Sequence, residues 1–116
     1  MIETIVRNYL ISQNIAGIGN NVKFKVPDSP PSEYLIIQKT GSGRTNRIDR
    51  AMVAIQSISR TSYEMAATIN EAVRQAMFEM ADNCSDIYRC ELNSDGDFTD
   101  TETKEFRYQA IFNIFY

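Results

Sequence analysis

Residues 50–81 combine the pattern of a buried strand with that of a long amphipathic helix, and this combination predicts a sheet with a helix packed on it. Residues 52–58 are rich in apolar and β-branched side chains, which predicts a strand with at least one buried face. Thr61 and Glu64 follow with the spacing of a capping box, so we expect the helix to start there. The apolar residues at helical spacing are Ala66, Ile69, Val73, Ala76, Met77 and Met80.

The other segments predict an α+β domain that spans residues 1–116. Residues 2–14 have helical periodicity, and residues 105–116 alternate as a half-buried strand does. Residues 41–47 are glycine-rich and too polar to pack, so we expect a mobile loop there. The order of elements favours a mostly antiparallel sheet of about four to five strands, packed by an N-terminal helix and a long central helix. The predicted strands are residues 22–26, 34–39, 52–58, 87–92 and 105–116.

The sequence has no histidine, which removes several kinds of site at once. Ser-His-Asp and Cys-His catalysis, histidine-ligated zinc and histidine pH switches all need an imidazole. Cys84 and Cys90 are too few for a disulfide framework, and we interpret them as reduced thiols. Asp95 and Asp97 form a carboxylate pair, but no pattern places them beside a base or a nucleophile. We therefore expect neither an enzyme nor a bound cofactor, and no apolar run reaches the roughly 18 residues of a membrane span.

The charges are distributed unevenly along the chain. The formal net charge is −3, so no overall positive charge recruits nucleic acid. Residues 39–60 are basic, and residues 91–105 are acidic. The basic segment contains Lys39, Arg44, Arg47, Arg50 and Arg60, against Asp49. The acidic segment contains Glu91, Asp95, Asp97, Asp100, Glu102 and Glu105, against Arg89 and Lys104.

Residues 91–102 partly match a twelve-residue calcium loop, with Gly96 at the sixth position. The weak candidate ligands are Asn93, Asp95, Asp97 and Glu102. The first position holds Glu91 instead of aspartate, and strands are predicted on both sides where the motif needs helices. An acidic hairpin tip that uses asparagine, aspartate and glycine for turn chemistry explains the segment better. A small calcium- or ligand-binding regulatory module is the alternative function from a different class.

The order of predicted elements resembles that of a phage protein family. An N-terminal helix, a proline-containing connection and a strand at 34–39 precede a glycine- and arginine-containing loop. The strand-turn-helix sequence VAIQSISRTSYEMA follows at 53–66, and an aromatic strand closes the chain. Over nearly its whole length the chain is similar to the tail-terminator and tail-completion proteins of long-tailed, non-contractile (siphovirus-type) bacteriophages and prophages.

That resemblance implies a structural protein of the virion. Such proteins form a ring, typically hexameric, on the finished tail tube; they stop tube polymerisation and present the surface that joins the head. The implied partners are other copies of the chain, the major tail tube protein and the head–tail connector, with DNA only passing through the lumen and no membrane involved. The implied location is the head–tail junction, with assembly in the host cytoplasm. A head-completion or connector protein of the phage neck is the alternative within the virion.

A closed ring needs two different patches on each copy, and the uneven charges suggest which ones. We expect the basic segment of one copy to contact the acidic segment of the next, with charge complementarity guiding register. The basic contact candidates are Arg44, Arg47 and Arg50, and the acidic candidates are Asp95, Asp97 and Asp100.

Overall fold

The computed structural model describes residues 1–97, Thr99 and residues 105–116. Within them the fold is α+β, with helices on a five-stranded sheet, which confirms the predicted fold class. The sheet order is β1-β2-β3-β5-β4; β1 is parallel to β2, and the other pairs are antiparallel. The helices are α1 (Ile2–Gln13), a 3₁₀ turn (Ile15–Gly17), α2 (Tyr63–Phe78) and α3 (Met80–Asn83). The strands are β1 (Val22–Lys23), β2 (Glu33–Thr45), β3 (Ile48–Ser59), β4 (Arg89–Asp97) and β5 (Phe106–Phe115).

Both long helices pack on the same face of the sheet. Side chains alternate along each strand, so one set of residues on β2, β3 and β5 shares a core with α1 and α2. All six apolar residues predicted for the inner face of the central helix are buried, as the helical spacing indicated. The centre of this core consists of Val6, Leu10, Leu35, Ile37, Val53, Ile55, Ile69, Val73, Met77, Phe112 and Ile114.

The other face of the sheet, here called the open face, is not covered by any helix of the described chain. At one end of it, Tyr34, Ile36 and Ile58 form a small separate buried cluster. Near the middle, the side-chain amides of Gln56 and Gln109 hydrogen-bond across β3 and β5 at 3.3 Å. The open face therefore presents a mixed polar and apolar surface to solvent.

Helix α2 begins one residue later than predicted. Ser62 has an extended backbone (φ −156°), and its Oγ accepts the Met65 N–H at 3.0 Å, which makes Ser62 the N-cap. The predicted cap, Thr61, instead donates its hydroxyl to Glu33 Oε2 at 3.3 Å. Both residues are good caps by type, and the backbone conformation decides between them.

Residues 41–47 are not the mobile loop that the sequence suggested. Residues 41–45 continue β2 and pair with residues 48–52 of β3, so their backbone groups bond across the hairpin. Only Asn46 and Arg47 form the turn, and both have positive φ (51° and 67°), as a two-residue type I′ hairpin requires. Backbone hydrogen bonds to β3 therefore hold residues 41–45 in an extended conformation, although their composition is typical of a loop.

The bounds of the first and fourth strands also differ from the prediction. Strand β1 contains only Val22 and Lys23, and Phe24 and Val26 beyond it are exposed. Strand β4 continues to Asp97, so the acidic segment is extended strand up to that point where the sequence suggested a hairpin tip. Its pairing with β5 provides hydrogen bonds that a turn could not.

Strands β2 and β4 each contain one bulge, and both bulges adjoin the same row across the sheet. The row is Lys39, Val53, Phe112 and Leu92. On β2 the register shifts just after the row, between Lys39 and Gly41. On β4 it shifts between Leu92 and Ser94, toward the other end of the sheet. A bulge bends its strand and increases the local twist.

Candidate assembly surfaces

The β2–β3 hairpin projects from one end of the sheet and contains three of the sequence-predicted contact residues. Asp49 and Tyr116 exchange backbone hydrogen bonds of 2.9 Å, and the hairpin continues past this last pairing with β5. Arg47 occupies the turn, whereas Arg44 and Arg50 point to opposite faces of the hairpin. Arg44 and Asp49 approach to 3.7 Å in solvent, a contact of small energy. The arginines are thus clustered at one end without sharing one face.

A depression on the open face at the base of this hairpin, here called the basic groove, was not predicted. It comprises two adjoining parts, one of about 300 Å³, and both include Ile48, Arg89 and Phe115. Arg50 and Arg89 lie on either side of Phe115, because both pair with it across the sheet. The residues that form the groove are Asn46, Ile48, Arg50, Tyr88, Arg89 and Phe115.

The side chains of the basic groove are held by their neighbours. The Arg89 guanidinium carbon lies 4.3 Å from the centroid of the Phe115 ring, and Arg89 Nε is 3.0 Å from Glu91 Oε1. Arg50 lies against Gly43 on the neighbouring strand, where an added β-carbon would be 3.4 Å from its Nη2. A side chain at Gly43 would therefore push the Arg50 guanidinium away from β2.

The acidic end of β4 comprises Asp95 and Asp97, which both point toward the helix side of the sheet. Asp95 is engaged within its own chain, since Asn70 Nδ2 is 3.5 Å and Arg74 Nη1 is 3.6 Å from its Oδ2. Asp97 is exposed and accepts hydrogen bonds from the Thr99 hydroxyl and N–H, which lower the pKa of its carboxyl and keep it ionised. The third acidic candidate, Asp100, lies outside the described residues.

The acidic end and the basic groove lie far apart on one copy. Asp97 pairs with Tyr108, whereas Arg50 and Arg89 pair with Phe115, seven residues along β5. That separation corresponds to about 23 Å along the strand. The two charged regions therefore cannot neutralise each other within one chain.

The calcium-loop candidates do not form a ligand cage in the described part of the chain. Residues 89–97 are extended strand, with Asn93 in the bulge, and Glu102 falls outside the description. No group of three or more histidine, cysteine, aspartate or glutamate side chains that could hold a metal occurs among the described residues.

Two tyrosines and both cysteines of the described chain illustrate how local contacts and burial shift pKa values. The Tyr63 and Tyr108 hydroxyls hydrogen-bond to each other, which raises the pKa of Tyr63 to about 12. Burial raises the pKa of the Cys84 thiol, and that of Cys90 to about 12, so both thiols stay protonated near neutral pH. None of the described helices is long and apolar enough to cross a membrane.

Comparisons with known proteins find a match by structure and none by family model or curated sequence. No protein-family model matches the sequence, and no curated protein matches it. Among solved structures, a chain in the virion of a native gene transfer agent particle has a similar fold, with a TM-score of 0.72 at 15% sequence identity. The match covers 95% of this chain and 90% of that chain. At this level of identity the match shows a shared fold along almost the whole of both chains.

Proposed function

We propose that this protein is a structural component of a phage-like virion, built as one domain over residues 1–116. The observation that carries the proposal is the near full-length likeness of its fold to a chain of a gene transfer agent virion. The absence of histidine and the raised thiol pKa values agree with a role that needs no catalysis.

More specifically, copies of the chain form a ring that caps the tail tube, ends its polymerisation and offers a surface to the head. Its partners are the tube protein and the head–tail connector, and DNA passes through the lumen. The ring assembles in the host cytoplasm and ends at the head–tail junction. The resemblance of element order supports this assignment.

The arrangement of charge supports a ring over a two-fold dimer of like patches. The arginines of the hairpin lie at one end of the sheet, and Asp97 lies at the other. Two unlike patches at opposite ends suit head-to-tail association, which gives a ring when the rotation closes. Charge complementarity then guides the register between copies more than it adds affinity.

The proposal is tested by measuring absolute mass by light scattering, with and without purified tail tubes, followed by electron microscopy. The wild type should form a discrete oligomer, alone or on tubes. Reversal of Arg44, Arg47 and Arg50 to glutamate should abolish it. The control lowers the net charge elsewhere, by reversing Lys23 and Lys25, which lie outside the basic segment.

A wild type that stays monomeric and does not bind tubes would contradict the ring. Loss of assembly in the control as well would show that net charge, and not the hairpin, governs it. Labelled protein found on heads, with none on tube ends, would favour the neck-protein alternative.

A further inference from the structure

We propose that the basic groove is the receptor half of the contact between two copies, and that its occupant is Asp97 of the second copy. This inference rests on the proposed ring function. It places the contact on Arg89 and Phe115 as well as on the hairpin. The groove and the Asp97 carboxylate are both exposed, and each is oriented by contacts within its own chain.

The composition of the basic groove is that of a protein contact. Ile48 and Tyr88 expose 37% and 71% of their surface at its border, and Phe115 forms its floor. Tyrosine and arginine are enriched where a few side chains contribute most of the binding energy. Burying the apolar border against a second copy would also remove water from around the charges and strengthen their attraction.

The two arginines provide the charge that a carboxylate needs. Their strands are two strand spacings apart, about 10 Å, with Phe115 on the strand between them. The Arg89 guanidinium lies over the Phe115 ring, and that of Arg50 leans toward Gly43. Among the described residues no carboxylate lies within 4.0 Å of the Arg50 side chain. The one carboxylate that pairs with Arg89 there is Glu91, and both side chains of this pair are largely exposed. A carboxylate entering the groove would therefore meet the Arg50 guanidinium, which no described carboxylate contacts, and would share the Arg89 guanidinium with Glu91.

Both guanidinium groups are partly ordered before any partner arrives. Stacking on Phe115 orients Arg89, and the open space over Gly43 lets Arg50 lie across the hairpin. A side chain that is already ordered loses less entropy on binding. The groove thus presents two partly ordered guanidinium groups, instead of two flexible arginine side chains, as hydrogen-bond donors.

The occupant is a second copy because this chain supplies an exposed carboxylate that cannot reach the basic groove of its own copy. Asp97 is exposed, its pKa is lowered by Thr99, and it lies about 23 Å along the sheet from the groove. It also points to the helix side, whereas the groove opens on the other face. Asp95 is the weaker candidate, because the Arg74 guanidinium already lies 3.6 Å from its Oδ2, whereas no basic side chain among the described residues lies within 4.0 Å of Asp97.

The experiment mixes two variants that each lack one half of the contact. Arg50→Glu with Arg89→Glu removes the groove half, and Asp97→Arg removes the other half. Each alone should weaken association by about 30-fold or more, as loss of a hydrogen-bonded charge pair does. When the two variants alternate in a ring with an even number of copies, every junction has opposite charges again, so assembly should return in an equimolar mixture. The control is Glu64→Arg alone, at an exposed acid on α2, which makes the same change in charge as Asp97→Arg but leaves both halves of the contact intact.

Light scattering on tubes and in solution reads out each sample, and circular dichroism confirms that every variant is folded. Loss of assembly for each variant alone, its recovery in their mixture, and assembly of Glu64→Arg like the wild type are the expected results. If both variants lose assembly and the mixture does not recover, these residues do not face each other, and the inference is wrong. If the variants assemble like the wild type, the groove contact is wrong while the ring stands. A wild type that never assembles contradicts the proposed function itself.

Discussion

Replacing Arg47 by glycine should make the isolated protein more stable. Arg47 is the second residue of the hairpin turn and has a φ of 67°, where a side chain collides with its own backbone. That conformation costs a non-glycine residue about 1–2 kcal/mol, and glycine gives back about 0.5–1 kcal/mol through the greater entropy of its unfolded chain. The net gain is about 0.5–1 kcal/mol.

The corresponding rise in melting temperature is small but measurable. For a chain of 116 residues the entropy of unfolding is about 0.24 kcal/mol/K, so the midpoint should rise by about 2–4 °C. Thermal unfolding followed by circular dichroism measures it. Arg47→Ala is the matched control, because it removes the guanidinium and keeps the β-carbon that causes the strain. It should leave the midpoint unchanged.

A lower midpoint for Arg47→Gly, or an equal rise for Arg47→Ala, would refute the argument from the turn. If the guanidinium contacts a partner, both variants should also assemble less well than the wild type. Stability and assembly would then change in opposite directions in the glycine variant, a combination that general misfolding cannot produce.

Three further changes test the cap, the core and the alkaline limit of stability. Ser62→Ala should lower the free energy of unfolding in urea by about 1 kcal/mol, because it leaves the Met65 N–H without its acceptor, and Thr61→Ala should lower it by less. A larger loss for Thr61→Ala would indicate that Thr61 is the N-cap. Phe112→Ala should lower the free energy of unfolding by about 3–5 kcal/mol, since the ring is fully buried at the centre of the core, and a loss below about 1 kcal/mol would contradict that packing. Burial and the nearby Glu105 raise the pKa of Tyr34 to about 12 from 10.0, so the unfolded phenol ionises first and stability should fall as pH rises above 10. Tyr34→Phe should flatten that fall in urea unfolding between pH 9 and 12, and an unchanged slope would show that other groups govern it.

The features that repeat along the sequence could be predicted, and those that depend on distant pairing could not. The inner stripe of α2 and the alternation of β5 follow from side-chain periodicity alone, and both are present in the fold. The hairpin was missed because its glycines and serine have no strand preference of their own, and their extended conformation comes from pairing with β3.

The basic groove could not be predicted from the sequence either, because it too depends on the pairing of distant strands. Arg50, Arg89 and Phe115 are far apart in the sequence and become neighbours only through the strand order β3-β5-β4. No local motif links them, so only the topology reveals the groove. The uneven charge could be seen in advance, but its placement at opposite ends of the sheet could not.

The two bulges beside the row from Lys39 to Leu92 bear on how many copies a ring would contain. They lie on different strands and on opposite sides of that row, between the part of the sheet with the basic groove and the part with Asp97. Extra twist at this level rotates one part of the sheet against the other, and in a ring it would change the angle between neighbouring copies. A ring of six needs a turn of about 60° per copy, and one of five about 72°. Through the number of copies in such a ring, the bulges on β2 and β4 would thus influence the diameter of the channel that the ring encloses.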